Sequence, residues 1–464
     1  MDKKEKNEQE NQPSCQSRRD FLKLVGVGTA GIALAGLSSG CNDQNARDRL
    51  IPTGQMTYRH NPKSGDNLSL LGFGMMRLPI VQRWRGELLP DTNDIDQEAV
   101  NDLVDFAISA GVNFFDTAPP YCKGFSERAT GEALSRHPRD KYFIATKLSN
   151  MRARDRESSI NMYHRSFQDL KVDYIDYYFL HNVGNNSAFQ TRFIENGVLD
   201  FLFREKEAGR IRNLGWSFHG DGEFFEWLAK EYPWDFTMIQ LNYLDWGNVL
   251  WSANVTAKRL YDILSEQGIP VFIMEPLLGG GLALPHYKAR ELMTRANAEV
   301  SAASWAFRFA GNLPNVATVL SGMTFMDHLK DNIHTYSPLV PLTEKEKDML
   351  TGPVMEIALE YRNILCTRCQ YCMPCPYGID IPEIFTHYNR CLNEGNYPID
   401  KQSPDFKRAR RAFLVGMDRR ISPLRQADRC INCNICRPAC PQRINIPAEM
   451  RRISRFVDEL RREV

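Results

Sequence analysis

No stretch of this 464-residue chain holds about twenty consecutive apolar residues, so no ordinary membrane-spanning helix is predicted. Charge of one sign is equally scarce: 58 Lys and Arg against 57 Asp and Glu leave a formal charge of +1. That balance lacks the basic footprint of a nucleic-acid binder, and no nucleic-acid partner is expected. What remains, 43% apolar and 25% charged, describes a globular chain with a real core. Its length suits about two to four domains.

Cysteine is plentiful, and eight of the twelve are concentrated in two runs. The first reads Cys366-Thr-Arg-Cys369-Gln-Tyr-Cys372-Met-Pro-Cys375-Pro, the second Cys430-Ile-Asn-Cys433-Asn-Ile-Cys436-Arg-Pro-Ala-Cys440-Pro. Three cysteines at every third position and a fourth before proline form the ligand run of a bacterial two-cluster ferredoxin. A short loop wraps three thiolates around three irons of a cube while the fourth iron faces away. The last cysteine of each run therefore ligates the other cluster. Cys366, Cys369, Cys372 and Cys440 are expected to hold one 4Fe–4S cluster, and Cys430, Cys433, Cys436 and Cys375 the second. The first run departs from the pattern, with two residues rather than three before Cys375. Zinc is the rival for paired Cys-x-x-Cys units, but four cysteines per run argue against it and against a disulfide framework. Each run is followed by a similar tag, Gly-Ile-Asp-Ile-Pro382 and Arg-Ile-Asn-Ile-Pro447, as if one half had been duplicated.

The N-terminus differs in kind. Ser17-Arg18-Arg19-Asp20-Phe21-Leu22-Lys23 precedes a weakly apolar stretch to Leu37 that carries Gly26, Gly28, Gly31 and Gly36. This resembles a twin-arginine export signal, which implies a folded, cofactor-loaded protein that is periplasmic or membrane-attached facing the periplasm. Cys41 is a candidate for lipidation, and so for membrane attachment, although Ser38 fits a lipobox poorly. The alternatives are removal with the signal or a place in a flexible lead.

From Asn67 to Ile333, short β-rich runs alternate with longer amphipathic ones, as parallel strands with covering helices do. The strand candidates are 69–75, 112–117, 142–147, 174–181, 213–218, 237–241, 270–274 and 317–321. Helix candidates include 95–110, 126–135, 156–170, 253–267 and 295–309. Eight repeats over about 270 residues match a (β/α)8 barrel, whose active site lies at the C-terminal strand ends. Those ends bring an acid, a phenol, a cation and an imidazole to one rim: Asp116, Tyr121, Lys147 and His181. A lysine beside a phenol favours phenolate and lowers the phenol pKa, which suits a proton donor to a carbonyl oxygen. Asp116 would hold Lys147, and a neutral His181 would orient the substrate oxygen.

These residues resemble the Asp–Tyr–Lys–His tetrad of the aldo/keto reductases. Phe114-Phe115-Asp116-Thr117-Ala118, Gly215-Trp216-Ser217, Gln240-Leu241-Asn242 and Glu275-Pro276-Leu277 match that family's pattern. With the cysteine runs, the chain resembles the family's iron–sulfur branch. The resemblance implies that Ser217 and Gln240 contact a nicotinamide amide and that Asn332 lies near the adenine. Two absences bear on this. Met274 stands where many members put an aromatic ring, and Ser321-Gly322-Met323-Thr324 lacks the Lys or Arg that grips a 2′-phosphate. NADP(H), NAD(H) and a flavin stay open.

The fold class expected is therefore α/β: a (β/α)8 TIM barrel followed by a small α-helical two-cluster ferredoxin-like domain. The divisions are 1–41 (signal region), 56–337 (barrel), 338–362 (linker helix, interrupted at Gly352-Pro353) and 363–464 (cluster domain). The function expected is an exported oxidoreductase interconverting a carbonyl and an alcohol, with two 4Fe–4S clusters exchanging electrons with a redox partner protein. The alternative is an electron-transfer module whose barrel is a binding platform. The loop Leu78–Asp94, with Arg83, Trp84 and Arg85, is expected to shape the substrate pocket. Cys122 reads as a bland rim residue and Cys391 as a small buried hydrophobe. The basic residues from Lys407 to Arg429 read as a solvated helix face in preference to a docking face.

Overall fold

The computed structural model describes residues 54–81, 94–151, 155–249 and 254–462. The signal-like segment, Cys41 and residues Arg83, Trp84 and Arg85 lie outside them. Everything described falls in one compact unit, Leu50–Val464.

A hairpin of β1 (Tyr58–His60) and β2 (Asn67–Ser69) precedes the barrel strands. These are β3 (Leu71–Gly74), β4 (Phe114–Asp116), β5 (Phe143–Leu148), β6 (Ile175–Val183), β7 (Ile211–Phe218), β8 (Phe236–Gln240), β9 (Val271–Met274) and β10 (Val316–Ser321). All are parallel, each pairs with the next, and β10 closes on β3. The eight expected strands are all present. The hairpin was not expected: it plugs the barrel's lower end, with Leu68 inside and Asp66 accepting a 2.6 Å hydrogen bond from the Tyr177 hydroxyl.

The two-residue period of a strand decides which side chains reach the barrel interior. Phe114, Ala145, Tyr177, Phe179, Phe236, Met238 and Phe272 fill it, while Phe115, Ile144, Tyr178 and Leu180 face the outer helices. Continuing the inward parity to each upper rim places Asp116 after Phe114, Lys147 after Ala145, His181 after Phe179 and Gln240 after Met238. The interior aromatics thus set the phase of the upper rim.

The helices 97–109, 126–134, 156–170 and 257–266 agree with expectation to within a turn. The segment 295–309 does not form one helix. Tyr287–Ala296 ends there and Ala302–Gly311 begins afresh, because Ser301 caps the second helix by accepting from the Ser304 N–H at 2.9 Å. The linker is kinked where Gly352 takes φ −107° and ψ −106° ahead of Pro353, between Glu344–Met349 and Met355–Glu360.

Beyond it, helices Ile381–Asn393, Phe406–Arg420 and Ile446–Arg462 enclose a separate core of Ile384, Phe385, Phe413, Met417, Met450 and Ile453. The duplicated tags are helix starts. Asp380 and Asn445 accept from the N–H groups of Glu383 and Ala448, and proline sits just inside each helix. Cys391 is buried in this core, and the Phe406–Arg420 helix buries Ala409, Phe413 and Met417 while its basic residues stay outside.

Candidate active site

Lys147 and Asp116 are both buried and ion-paired, and Lys147 Nζ also donates to the Thr117 carbonyl at 2.8 Å. Nζ lies 5.2 Å from the centre of the Tyr121 ring and 4.9 Å from that of Phe179. Tyr121 meets the His181 ring edge-on, centroids 5.9 Å apart. Its position is held by an unusual turn. Cys122, Lys123 and Gly124 take φ of 49°, 58° and 95°, three left-handed residues in succession. Strain of this kind persists where the surroundings over-determine it, as at ligand sites. Cys122 itself points away, with Sγ 3.5 Å from the Met76 carbonyl, and burial pushes its thiol up.

Burial holds His181 well below its usual range, helped by the positive charges of Lys147 and Arg192. The imidazole is therefore neutral. Ser149 Oγ lies 2.5 Å from Nδ1; if that hydroxyl donates, Nε2 carries the proton and faces the pocket. Two residues after Lys147 on the same strand end, Ser149 is a positioning residue that the sequence reading missed.

The expectation for Tyr121 needs correction. Burial, then Tyr371, Asp116 and Glu275, push its hydroxyl well above the ordinary range. Lys147 faces the ring, and its hydrogen bonds go to Asp116 and Thr117. The lysine therefore does not make this phenol acidic here, and Tyr121 keeps its proton across neutral pH. With His181 neutral and Tyr121 protonated, a carbonyl-reduction rate limited by these groups should stay flat from about pH 6 to 9. A pH–rate profile checks this, and an acid limb near 6.5 that disappears in His181→Gln would contradict it.

The cysteine-rich module sits on this rim. The Tyr371 hydroxyl, from between Cys369 and Cys372, is 3.5 Å from His181 Nε2. Arg77 donates to the Thr367 carbonyl, Gln442 Nε2 is 3.3 Å from Gln240 Oε1, and Asn393 donates to the Leu284 carbonyl at 2.8 Å. None of these contacts was foreseen. Tyr371 was hidden as a spacer inside a metal-binding run 190 residues from His181.

The cysteines are arranged as two matching loops. Arg368 and Gln370 take φ of 55° and 64°, and at the equivalent places in the second run Asn432 and Asn434 take 63° and 62°. Such alternation turns backbone N–H groups toward an anion: the Arg368 N–H bonds Cys366 and the Tyr371 N–H bonds Cys369. Cys366, Cys369, Cys372 and Cys440 line one cavity, closed by Ile381, Phe385, Ile444 and Ile446. Cys436 has Cys375, Cys430 and Cys433 as its neighbours. Cysteines of both runs thus meet in each of two places, Cys440 beside the first run and Cys375 beside the second.

The three expected cofactor residues are differently disposed. Ser217 is buried and accepts from the Asn182 N–H at 2.9 Å. Gln240 donates to Asp245 Oδ2 at 3.0 Å while accepting from Gln442. Asn332 is buried and bonded to Ser321 Oγ at 2.9 Å.

The family model described as the aldo/keto reductase family matches residues 70–352, and the 4Fe-4S dicluster domain matches residues 365–446. The L-galactose dehydrogenase of Arabidopsis thaliana is 24% identical over 280 residues, 54% of this chain and 83% of that protein. The NADH-specific methylglyoxal reductase of Escherichia coli is 29% identical over 230 residues, 46% of this chain and 65% of that protein. The D-arabinose 1-dehydrogenase of Saccharomyces cerevisiae is 32% identical over 151 residues, 30% of this chain and only 42% of that protein. Among solved structures, the holo form of an aldo-keto reductase from Bacillus halodurans aligns with a TM-score of 0.50. At 23% identity it covers 64% of this chain and 95% of the other, a likeness of fold.

Proposed function

The chain belongs to the aldo/keto reductase family, and from that premise we propose that it is an exported oxidoreductase interconverting a carbonyl and an alcohol at Asp116, Tyr121, Lys147 and His181. It is an oxidoreductase of aldo/keto reductase type with a 4Fe–4S ferredoxin-like domain. The observation that carries the finer reading is the meeting of a tetrad and a cysteine run at one rim, through Tyr371 and His181.

In this reading the substrate oxygen lies between Tyr121 and His181. His181 Nε2–H polarises it, and Tyr121 gives it a proton. Lys147, kept charged by Asp116, adds positive field beside the oxygen as negative charge builds there. Ser149 fixes the imidazole. The two mixed cysteine sets would hold two 4Fe–4S clusters, which supply single electrons when bound.

The test is anaerobic turnover of the iron-loaded protein with a reduced one-electron dye and a panel of carbonyls. Dye oxidation with stoichiometric alcohol is expected. Clusters that cycle with dye while no carbonyl is ever consumed would favour an electron-transfer module with a binding barrel.

Export rests on Ser17 to Lys23 and the glycine-rich stretch behind them. Replacing Arg18 and Arg19 by Lys is expected to keep the protein in the cytoplasm, read by fractionation; unchanged location would refute the signal.

A further inference from the structure

A dinucleotide that reached from Gln240, at the end of β8, to Asn332, beyond β10, would have to cross the end of β9. All three points of that route are occupied by the chain itself. At the first, both ends of the Gln240 amide are engaged, the oxygen by Gln442 and the nitrogen by Asp245. At the second, Thr367 lies on the loop after β9. A side chain on Gly279 would stand 2.4 Å from the Thr367 Cα, and Glu275 accepts from the Gly279 N–H at 2.6 Å and from the Thr367 hydroxyl. Thr367 is buried there. A carboxyl group in mid-route also opposes a pyrophosphate. At the third, Arg77 crosses Gly322, its Cδ 2.9 Å from where a side chain would begin, and its guanidinium is engaged by the Thr367 carbonyl.

We propose that the cysteine-rich module stands in the dinucleotide's place. The barrel is then served by single electrons arriving through the Cys366–Cys372 run. Its substrate is a carbonyl conjugated enough to accept them one at a time, a quinone or a vicinal dicarbonyl. The catalytic half rests on the reading of Tyr121 and His181 given above.

The argument for the substrate class is energetic. Hydride transfer delivers both electrons together and avoids a singly reduced carbonyl. Electrons delivered singly must pass through it, and for an unconjugated carbonyl that species lies far below the potentials iron–sulfur clusters reach. Conjugation brings it within range. The reaction takes two electrons and two protons. The electrons come from an external low-potential one-electron donor, two equivalents of which are oxidised. The C–O π bond opens, and Tyr121 gives its proton to that oxygen and is reprotonated from solvent. The second proton comes from solvent, to carbon in a dicarbonyl or to the distal oxygen in a quinone. Tyr371, on the turn between Cys369 and Cys372, brings its hydroxyl to 3.5 Å from His181 Nε2 and so joins the cluster run to the proposed reaction site through a non-covalent contact.

The test uses anaerobically prepared, iron-loaded protein. Equilibrium dialysis against NADPH and NADH should show no saturable binding up to about 1 mM, the upper range of ordinary substrate affinities. Binding that appears in Gln442→Ala or Tyr371→Ala would support occlusion. Saturable micromolar binding to the unaltered protein would overturn it. In a second arm, photoreduced protein is mixed with menadione, methylglyoxal or propanal and the return of cluster absorbance is followed. Menadione or methylglyoxal should act about tenfold or more faster than propanal, with the faster of the two naming the class. Equal rates for propanal would overturn the substrate assignment. Reoxidation indifferent to Tyr121→Phe, alongside absent dinucleotide binding, would refute the catalytic reading while leaving the occlusion standing.

Discussion

Cys440→Ala is expected to lower bound iron from about eight to about four per chain, two four-iron cubes being reduced to one. Its spectrum should match that of Cys369→Ala and differ from that of Cys433→Ala, although Cys440 and Cys433 belong to the same run. The reason is geometric: Cys440 shares a cavity with Cys366, Cys369 and Cys372. Cys375→Ala should in turn resemble Cys433→Ala, because Cys375 lies with Cys430 and Cys436. Burial pushes the Cys366 thiol up to about 11 and that of Cys369 to about 12, so metal-free thiols would stay protonated at neutral pH. Iron and sulfide analysis with electron paramagnetic resonance separates the cases. Each run keeping its own four cysteines would mean that the shortened Cys372–Cys375 spacing has abolished the exchange.

Tyr121→Phe is expected to lower carbonyl reduction by about 10² to 10⁴, the usual contribution of a positioned general acid, with iron content and thermal stability unchanged. The variant is clean because, among the described residues, the Tyr121 hydroxyl serves no structural hydrogen bond. Lys147→Met is a poorer probe. It would leave Asp116 buried without its counter-charge, which typically costs about 3–5 kcal/mol of stability. Loss of activity there would not separate chemistry from folding.

The sequence showed what local pattern determines. Inward parity along β4, β5 and β6 carries Asp116, Lys147 and His181 to one rim, so those three could be found from the strand ends, while Tyr121 follows on the turn after β4. The cysteine sets could be named because cube geometry forces the exchange of the fourth ligand. Helix 295–309 was misjudged because its apolar pattern runs across Asn297–Ser301, while the cap at Ser301 is a matter of one side-chain hydrogen bond from the Ser304 N–H. The hairpin at Tyr58–His60 was missed because three-residue strands carry almost no periodic signal. Tyr371, Thr367 and Gln442 were beyond reach for another reason. Their partners are His181, Gly279 and Gln240, and nothing local says which face of a small module rests on a barrel. The pKa of Tyr121 failed similarly: Lys147 was rightly placed nearby, but its hydrogen bonds go to Asp116 and Thr117, while burial and Tyr371, far along the chain, raise the phenol.

The central claim is that the tetrad and the cysteine runs form one redox unit. Its most direct measurement is anaerobic stopped-flow of photoreduced protein mixed with the best carbonyl found in turnover, in parallel with Tyr121→Phe. The account predicts that the native protein's clusters return to the oxidised spectrum as alcohol forms, and that the variant's clusters stay reduced over the same interval. Equal reoxidation in both, or alcohol formed while the clusters stay reduced, would contradict it.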